Sequence, residues 1–94
     1  MIARYVDAHC HIQFDQYAHD ETEIIGRMKG EGIAGIVVGV DAVSSSRAIA
    51  LAEKYEHLYA SVGLHPNHAW HPVGYPDAGD EVFDTEVYRR LANH

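Results

Sequence analysis

Two histidines separated by one residue, His9 and His11, follow an apolar run that climbs through Tyr5 and Val6 into Asp7 and Ala8. In an extended chain successive side chains face opposite ways, so His9 and His11 share a side, and Asp7 joins them if the strand stays regular. Neutral imidazole is the commonest protein ligand for zinc and similar metals. Two on one face supply half of a site that normally needs three or four donors. Asp7 suits an outer role, since a ligating histidine commonly gives its second N–H to a carboxylate. The alternative is a pair that faces solvent or is satisfied by hydrogen bonds. Cys10, on the opposite side, reads as a small buried hydrophobe without a partner for nucleophilic catalysis.

A second group lies farther along. Leu58 to Leu64 reads as a strand running into His65-Pro66, and proline holds the residue before it in extended geometry. His65 at that strand end could meet His9 and His11 over one mouth of a sheet, binding substrate or moving a proton. It could equally be an ordinary strand-end residue. His68 and Trp70 follow in a loop, where the indole could stack on a base or simply anchor its own segment. Asp41 reads first as a helix cap. His19, His57 and His94 fall in no useful pattern. The sequence holds no P-loop, no paired-cysteine metal knuckle and no basic-aromatic stripe.

The elements that must position these groups alternate. Residues 2–8, rich in Ile, Tyr and Val, predict a first strand. Asp20 with Glu23 predicts a capping box, Ile24, Ile25 and Met28 share a helix face, and Gly30 and Gly32 mark its stop. Residues 33–40 form an apolar run between turn signals, as expected of a strand buried on both faces. Ile49, Ala52 and Tyr55 mark a second helix ending near Glu56 or His57. Its cap lies among Asp41, Ser44, Ser45 and Ser46, and spacing does not choose between them. Residues 67–80 read as loop, and Val82, Phe83, Val87 and Leu91 suggest a last helix. Strand and helix in this order, with long crossovers, predict an α/β layer of parallel strands. Three such strands leave both edges open, and the regularity suits the opening of an eight-stranded barrel.

The totals narrow the possibilities. The 94 residues are 47% hydrophobic and 22% charged, a folded composition sized for one small domain. A formal charge of −7 argues against a broad nucleic-acid or anionic-membrane surface, although bound divalent ions would reverse the sign locally. One cysteine allows no internal disulfide. With no signal peptide or membrane-length apolar run, the expectation is a soluble cytoplasmic protein without membrane contact.

The block Asp7-Ala8-His9-Cys10-His11-Ile12 resembles the N-terminal signature of the TatD family of metal-dependent hydrolases. The resemblance continues at Gly35-Ile36-Val37-Val38-Gly39-Val40-Asp41, at Ser45-Ser46-Arg47-Ala48-Ile49-Ala50-Leu51-Ala52, and at Tyr59-Ala60-Ser61-Val62-Gly63-Leu64-His65-Pro66. The blocks keep family order and spacing across about residues 5–68. Two departures stand out: Ile12-Gln13-Phe14-Asp15 where the family often has Leu-Asp, and Asn67 where it often has histidine.

The resemblance implies a (β/α)8 barrel of about 250 residues. Residues 1–94 would be the N-terminal part of that one barrel, with no second domain, stopping before its fourth strand and needing the remaining sequence to complete the fold. It implies His9 and His11 as metal ligands and His65 as a phosphate-side residue; His68 and Trp70 stay substrate candidates from the loop reading alone. The other ligands and the water-activating aspartate would fall beyond residue 94, so no catalytic residue is expected within the chain. Divalent ions would be the cofactor, two in the full-length enzyme, with Mg, Mn and Zn not separated. The implied activity is a deoxyribonuclease that cleaves DNA, or another phosphodiester, with metal-activated water. A D-aminoacyl-tRNA deacylase or related amidohydrolase would use similar ligands. A short, catalytically inert chain with an incomplete metal site is the alternative from a different class.

Overall fold

A computed structural model describes residues 1–66 and 83–94. Its elements are β1 (Tyr5–Cys10), a 3-10 turn (Asp15–Tyr17), α1 (Glu21–Gly30), β2 (Ile33–Val38), α2 (Ala42–Lys54), β3 (Leu58–Ser61) and α3 (Thr85–Ala92). The three strands form one sheet in the order β1-β2-β3, with both pairings parallel. The α/β class and the alternating order match the opening portion of a parallel barrel.

Strand boundaries differ from the sequence expectation at each end. β1 starts at Tyr5 rather than residue 2 and continues to Cys10, because its ladder opposite β2 begins at the Tyr5–Ile33 pair. β3 stops at Ser61, so His65 lies beyond the ladder instead of closing it. α2 ends at Lys54, short of Glu56. α3 starts at Thr85, leaving Phe83 outside the helix, where its ring stacks on Tyr88 at 5.0 Å. Val82, His68, Trp70 and the expected loop over 67–80 lie outside the described residues.

One sheet face carries the core. Gly35 and Val37 of β2 pair with Leu58 and Ala60 of β3, and this face takes Ile25 from α1 with Ala48 and Leu51 from α2. Val37, Ile25 and Ala48 are fully buried. The other face is far more open, with Val6 60% and Tyr59 61% exposed. β2 itself has no exposed residue: Gly35 and Val37 are buried on the helix-covered side, Ala34 is buried on the other, and Ile36 and Val38 are half-buried, so the expected burial on both faces is met in part. α1 stops where expected: Gly32 takes φ +71°, a conformation that favours glycine, and its carbonyl accepts from the Arg4 and Tyr5 amides. Asp20 stands at the N-cap of α1 but makes no side-chain cap bond, so the Asp20–Glu23 box does not form. Its backbone, near φ −125° and ψ 9°, is not the extended one that aims an N-cap carboxylate at the first-turn amides.

The cap of α2 is where the sheet end and the helix layer meet. Asp41 Oδ1 accepts from the Ser44 amide at 2.7 Å and from Ser44 Oγ at 2.6 Å, while Ser44 Oγ accepts from the Val40 and Asp41 amides. Asp41 is thus the residue that caps, among the four the sequence allows. Next to it, Ser45 is fully buried, and its Oγ accepts from the Gly63 amide at 3.2 Å. Gly39 makes this close approach feasible: a Cβ there would stand 2.1 Å from Ser45 Oγ and 2.6 Å from Ser45 Cα. The Gly39 amide in turn donates to the Ser61 carbonyl, fixing the ends of β2 and β3 side by side.

Candidate metal centre

The histidine motif sits where β1 leaves the sheet. Pairing with β2 shifts register between Asp7 and Cys10: three steps along β1 face two along β2, from Gly35 to Val37. An irregularity of this bulge type re-aims side chains, and such features concentrate beside active sites. Strict alternation therefore no longer places Asp7 on the histidine side. Asp7 instead reaches His9 through the backbone, its Oδ1 accepting from the His9 amide at 3.1 Å. It secures the irregular turn of chain rather than an imidazole ring.

Beyond the shift the alternation resumes. Cys10 pairs with Val37 and lies on the helix-covered side, its Sγ donating to the Ile36 carbonyl at 3.4 Å. Burial raises its thiol pKa, the Asp7 carboxylate adds to the rise, and a backbone hydrogen bond at Ile12 opposes it. The thiol stays protonated at neutral pH, as its reading as a small hydrophobe requires.

His9 and His11 are brought together. Their Nε2 atoms lie 3.2 Å apart and their rings meet edge to face at 4.9 Å. His11 Nδ1 is 2.9 Å from the Val38 carbonyl. A carbonyl only accepts, so this nitrogen carries the proton, and the Nε2 of a neutral His11 is an acceptor at hydrogen-bond distance from His9 Nε2. The His11 ring stacks on Phe14 at 4.5 Å. His11 is half-buried and His9 exposed.

This geometry fits a metal ion. Imidazole nitrogens about 2.0–2.1 Å from one ion lie about 2.9 Å apart at a right angle and about 3.4 Å apart at the tetrahedral angle. The observed 3.2 Å falls between. The His11–Val38 bond is the outer-shell contact that fixes a ligating tautomer. Two nitrogens do not complete a site, and among the described residues no group of three or more His, Cys, Asp or Glu is placed to hold a metal.

His65 follows β3, exposed, and its amide donates to the Val40 carbonyl at 2.8 Å. It therefore lies at the same C-terminal end of the sheet as Val38 and the histidine pair. His57 and His94, which no pattern singled out, have structural partners. The buried His57 donates through Nε2 to the Ile25 carbonyl, and His94 pairs with Glu53 on the surface.

Gln13 is the site residue that spacing did not reveal. It is 4% exposed, and its Nε2 donates to the Val38 carbonyl at 2.8 Å and to the Ser44 carbonyl at 3.3 Å. The departure of residues 12–15 from the family's Leu-Asp was the available signal, but it gave no direction for the amide.

Parallel strands with helices between them, and paired histidines at the carboxyl end of the first, define an α/β protein with two imidazoles brought together at one end of its sheet. The chain belongs to the TatD family: the family model described as TatD related DNase matches residues 6–92. It is 42% identical over 67 residues to the uncharacterized metal-dependent hydrolase YjjV of Escherichia coli, across 70% of this chain and 26% of that protein. Against the uncharacterized metal-dependent hydrolase YabD of Bacillus subtilis it is 38% identical over 89 residues, 94% of this chain and 32% of the relative. A protein named 3'-5' ssDNA/RNA exonuclease TatD, from Cronobacter sakazakii, is 31% identical over 64 residues, 67% of this chain and 24% of its own length. The chain thus spans about a third or less of these relatives.

Proposed function

We propose that this chain forms the first part of a metal-dependent nuclease that hydrolyses phosphodiester bonds in DNA. The observation that carries the metal reading is the convergence of His9 Nε2 and His11 Nε2 at 3.2 Å, with His11 Nδ1 committed to Val38. The nuclease reading rests on the DNase family model and on relatives named exonucleases.

When bound, a divalent ion supplies water of lowered pKa and neutralises charge that develops on the phosphoryl oxygens. His9 and His11 would hold it through their Nε2 atoms, and the Val38 carbonyl sets the His11 tautomer that ligation through Nε2 requires. Asp7 holds the irregular backbone at His9. His65, tied to the same end of the sheet by its amide, is assigned to the phosphate side. We assign no catalytic group to residues 1–94; by resemblance to the family, the remaining ligands and the water-activating aspartate would lie outside them. A preparation of these 94 residues alone should therefore show no appreciable turnover.

The test uses the full-length protein and a 3'-labelled single-stranded oligodeoxynucleotide in the presence of Mg, Mn or Zn. Metal-dependent release of nucleotides should fall to background in the His9→Ala, His11→Ala double variant. Turnover at the parent rate in that variant would sink the assignment. Release of amino acid from a misacylated transfer RNA, with no cleavage of the oligonucleotide, would replace the nuclease with a deacylase.

A further inference from the structure

The Val38 carbonyl receives two side chains at once, His11 Nδ1 at 2.9 Å and Gln13 Nε2 at 2.8 Å. It belongs to the last residue of β2, and the next amide, that of Gly39, donates across to β3 at Ser61. Across a trans peptide the Val38 carbonyl points the other way, toward β1. There β1 has already ended at Cys10. The oxygen has two lone pairs and no strand amide to fill them, and the two side chains take that place.

We infer that Gln13 is a positioning residue for the metal pair, holding the Val38 carbonyl and the turn after β1 so that His11 Nε2 stays aimed at His9 Nε2. The inference rests on the assignment of His9 and His11 as ligands. Two further observations support it. The same Gln13 amide reaches the Ser44 carbonyl in the first turn of α2, so the segment that follows His11 is braced against a capped helix as well as against β2. Gln13 Oε1 is buried without a hydrogen-bond partner among the described residues. A buried orphan acceptor is a liability for folding. Turning the amide over would bring Oε1 against two carbonyl oxygens, so the orientation is fixed by the donors. A side chain kept solely for packing would carry no such orphan, and methionine would fill a similar volume without one.

Gln13→Met in the full-length protein separates positioning from packing. The probe is Co(II) alone, added to metal-free protein and followed by calorimetry and by its visible absorption bands. Loosening the Val38 carbonyl that orients His11 should weaken Co(II) binding about tenfold, the lower end of the range for a group bonded directly to a ligand, and alter the band shape. The melting temperature of the metal-free protein should hold or rise. Unchanged affinity and spectrum would overturn the inference, as would an affinity loss matched by a lower metal-free melting temperature. His11→Ala is the control: if that variant binds Co(II) as tightly as the parent, the ligand assignment itself has failed. If His11→Ala abolishes binding and Gln13→Met does not change it, only the role of Gln13 has failed.

Discussion

At the scale of single residues, the sharpest constraint outside the histidine pair is the contact between Gly39 and Ser45. A methyl group at Gly39 would overlap a buried hydroxyl at 2.1 Å and, more seriously, a backbone carbon at 2.6 Å. The side chain could rotate, but the Cα at the start of a capped helix has nowhere to go. Overpacking of this kind costs about 1–3 kcal/mol and occasionally more, and the backbone clash places Gly39→Ala at the upper end, at about 3 kcal/mol. Urea unfolding of the parent and variant would measure it. Adding Ser45→Gly should recover only part of the loss, because the Cα remains and the Gly63 amide loses its acceptor. Full recovery would mean the hydroxyl alone sets the contact. Residue types tell unequal amounts about such features. His9 and His11 are legible because residue type and a spacing of two single them out, although the register shift at β1 and the Val38 contact, and not strict alternation, bring them together. Gln13 is not, because an amide three residues past the strand end has no period to obey, and its partners are carbonyls 25 and 31 residues away.

At the scale of elements, the order of strands and helices was legible from apolar runs and glycine stops, whereas their ends were set by pairing. Nothing local in residues 58–64 says that the β2–β3 ladder finishes at the Val38–Ser61 pair. The shift in β1 was equally hidden: it depends on matching three residues of one strand to two of another. Capping shows the same division. Asp41 and Asp20 are alike in sequence, but only Asp41 has the extended backbone, at φ −152° and ψ −177°, that turns its carboxylate toward the first turn. Asp41→Ala should therefore cost about 1–2 kcal/mol, while Asp20→Ala should cost only a few tenths. Chemical denaturation of the two variants checks this directly, and equal losses would mean that the capping box of α2 contributes little. Asp41→Asn should retain most of the stability, since its amide oxygen can still accept from the Ser44 amide.

At the scale of the whole chain, burial among the described residues is unevenly spread, and the histidine pair lies on the more open side. The packed face joins α1 and α2 to β2 and β3, while β1 is exposed along residues 5–9. β1 is held by its ladder to β2, by the Gly32 carbonyl at its start and by the His11–Val38 bond just past its end. An ion shared by His9 and His11 would bind only when that end is in place. Binding to the folded state alone stabilises by RT ln(1 + [L]/Kd), about 2.7 kcal/mol at a hundredfold excess over Kd. The gain should be local before it is global. Hydrogen exchange with and without Zn(II) should slow first at residues 5–11 and at the Gly39 amide, with little change in α3. A chelator should reverse the effect, and the His9→Ala, His11→Ala variant should show none of it. Equal protection in that variant would mean the ion acts elsewhere. Uniform slowing across α3 as well would mean that β1 opens only together with the whole domain, in which case the strand end is a rigid part of the core and not a separable clasp closed by the metal.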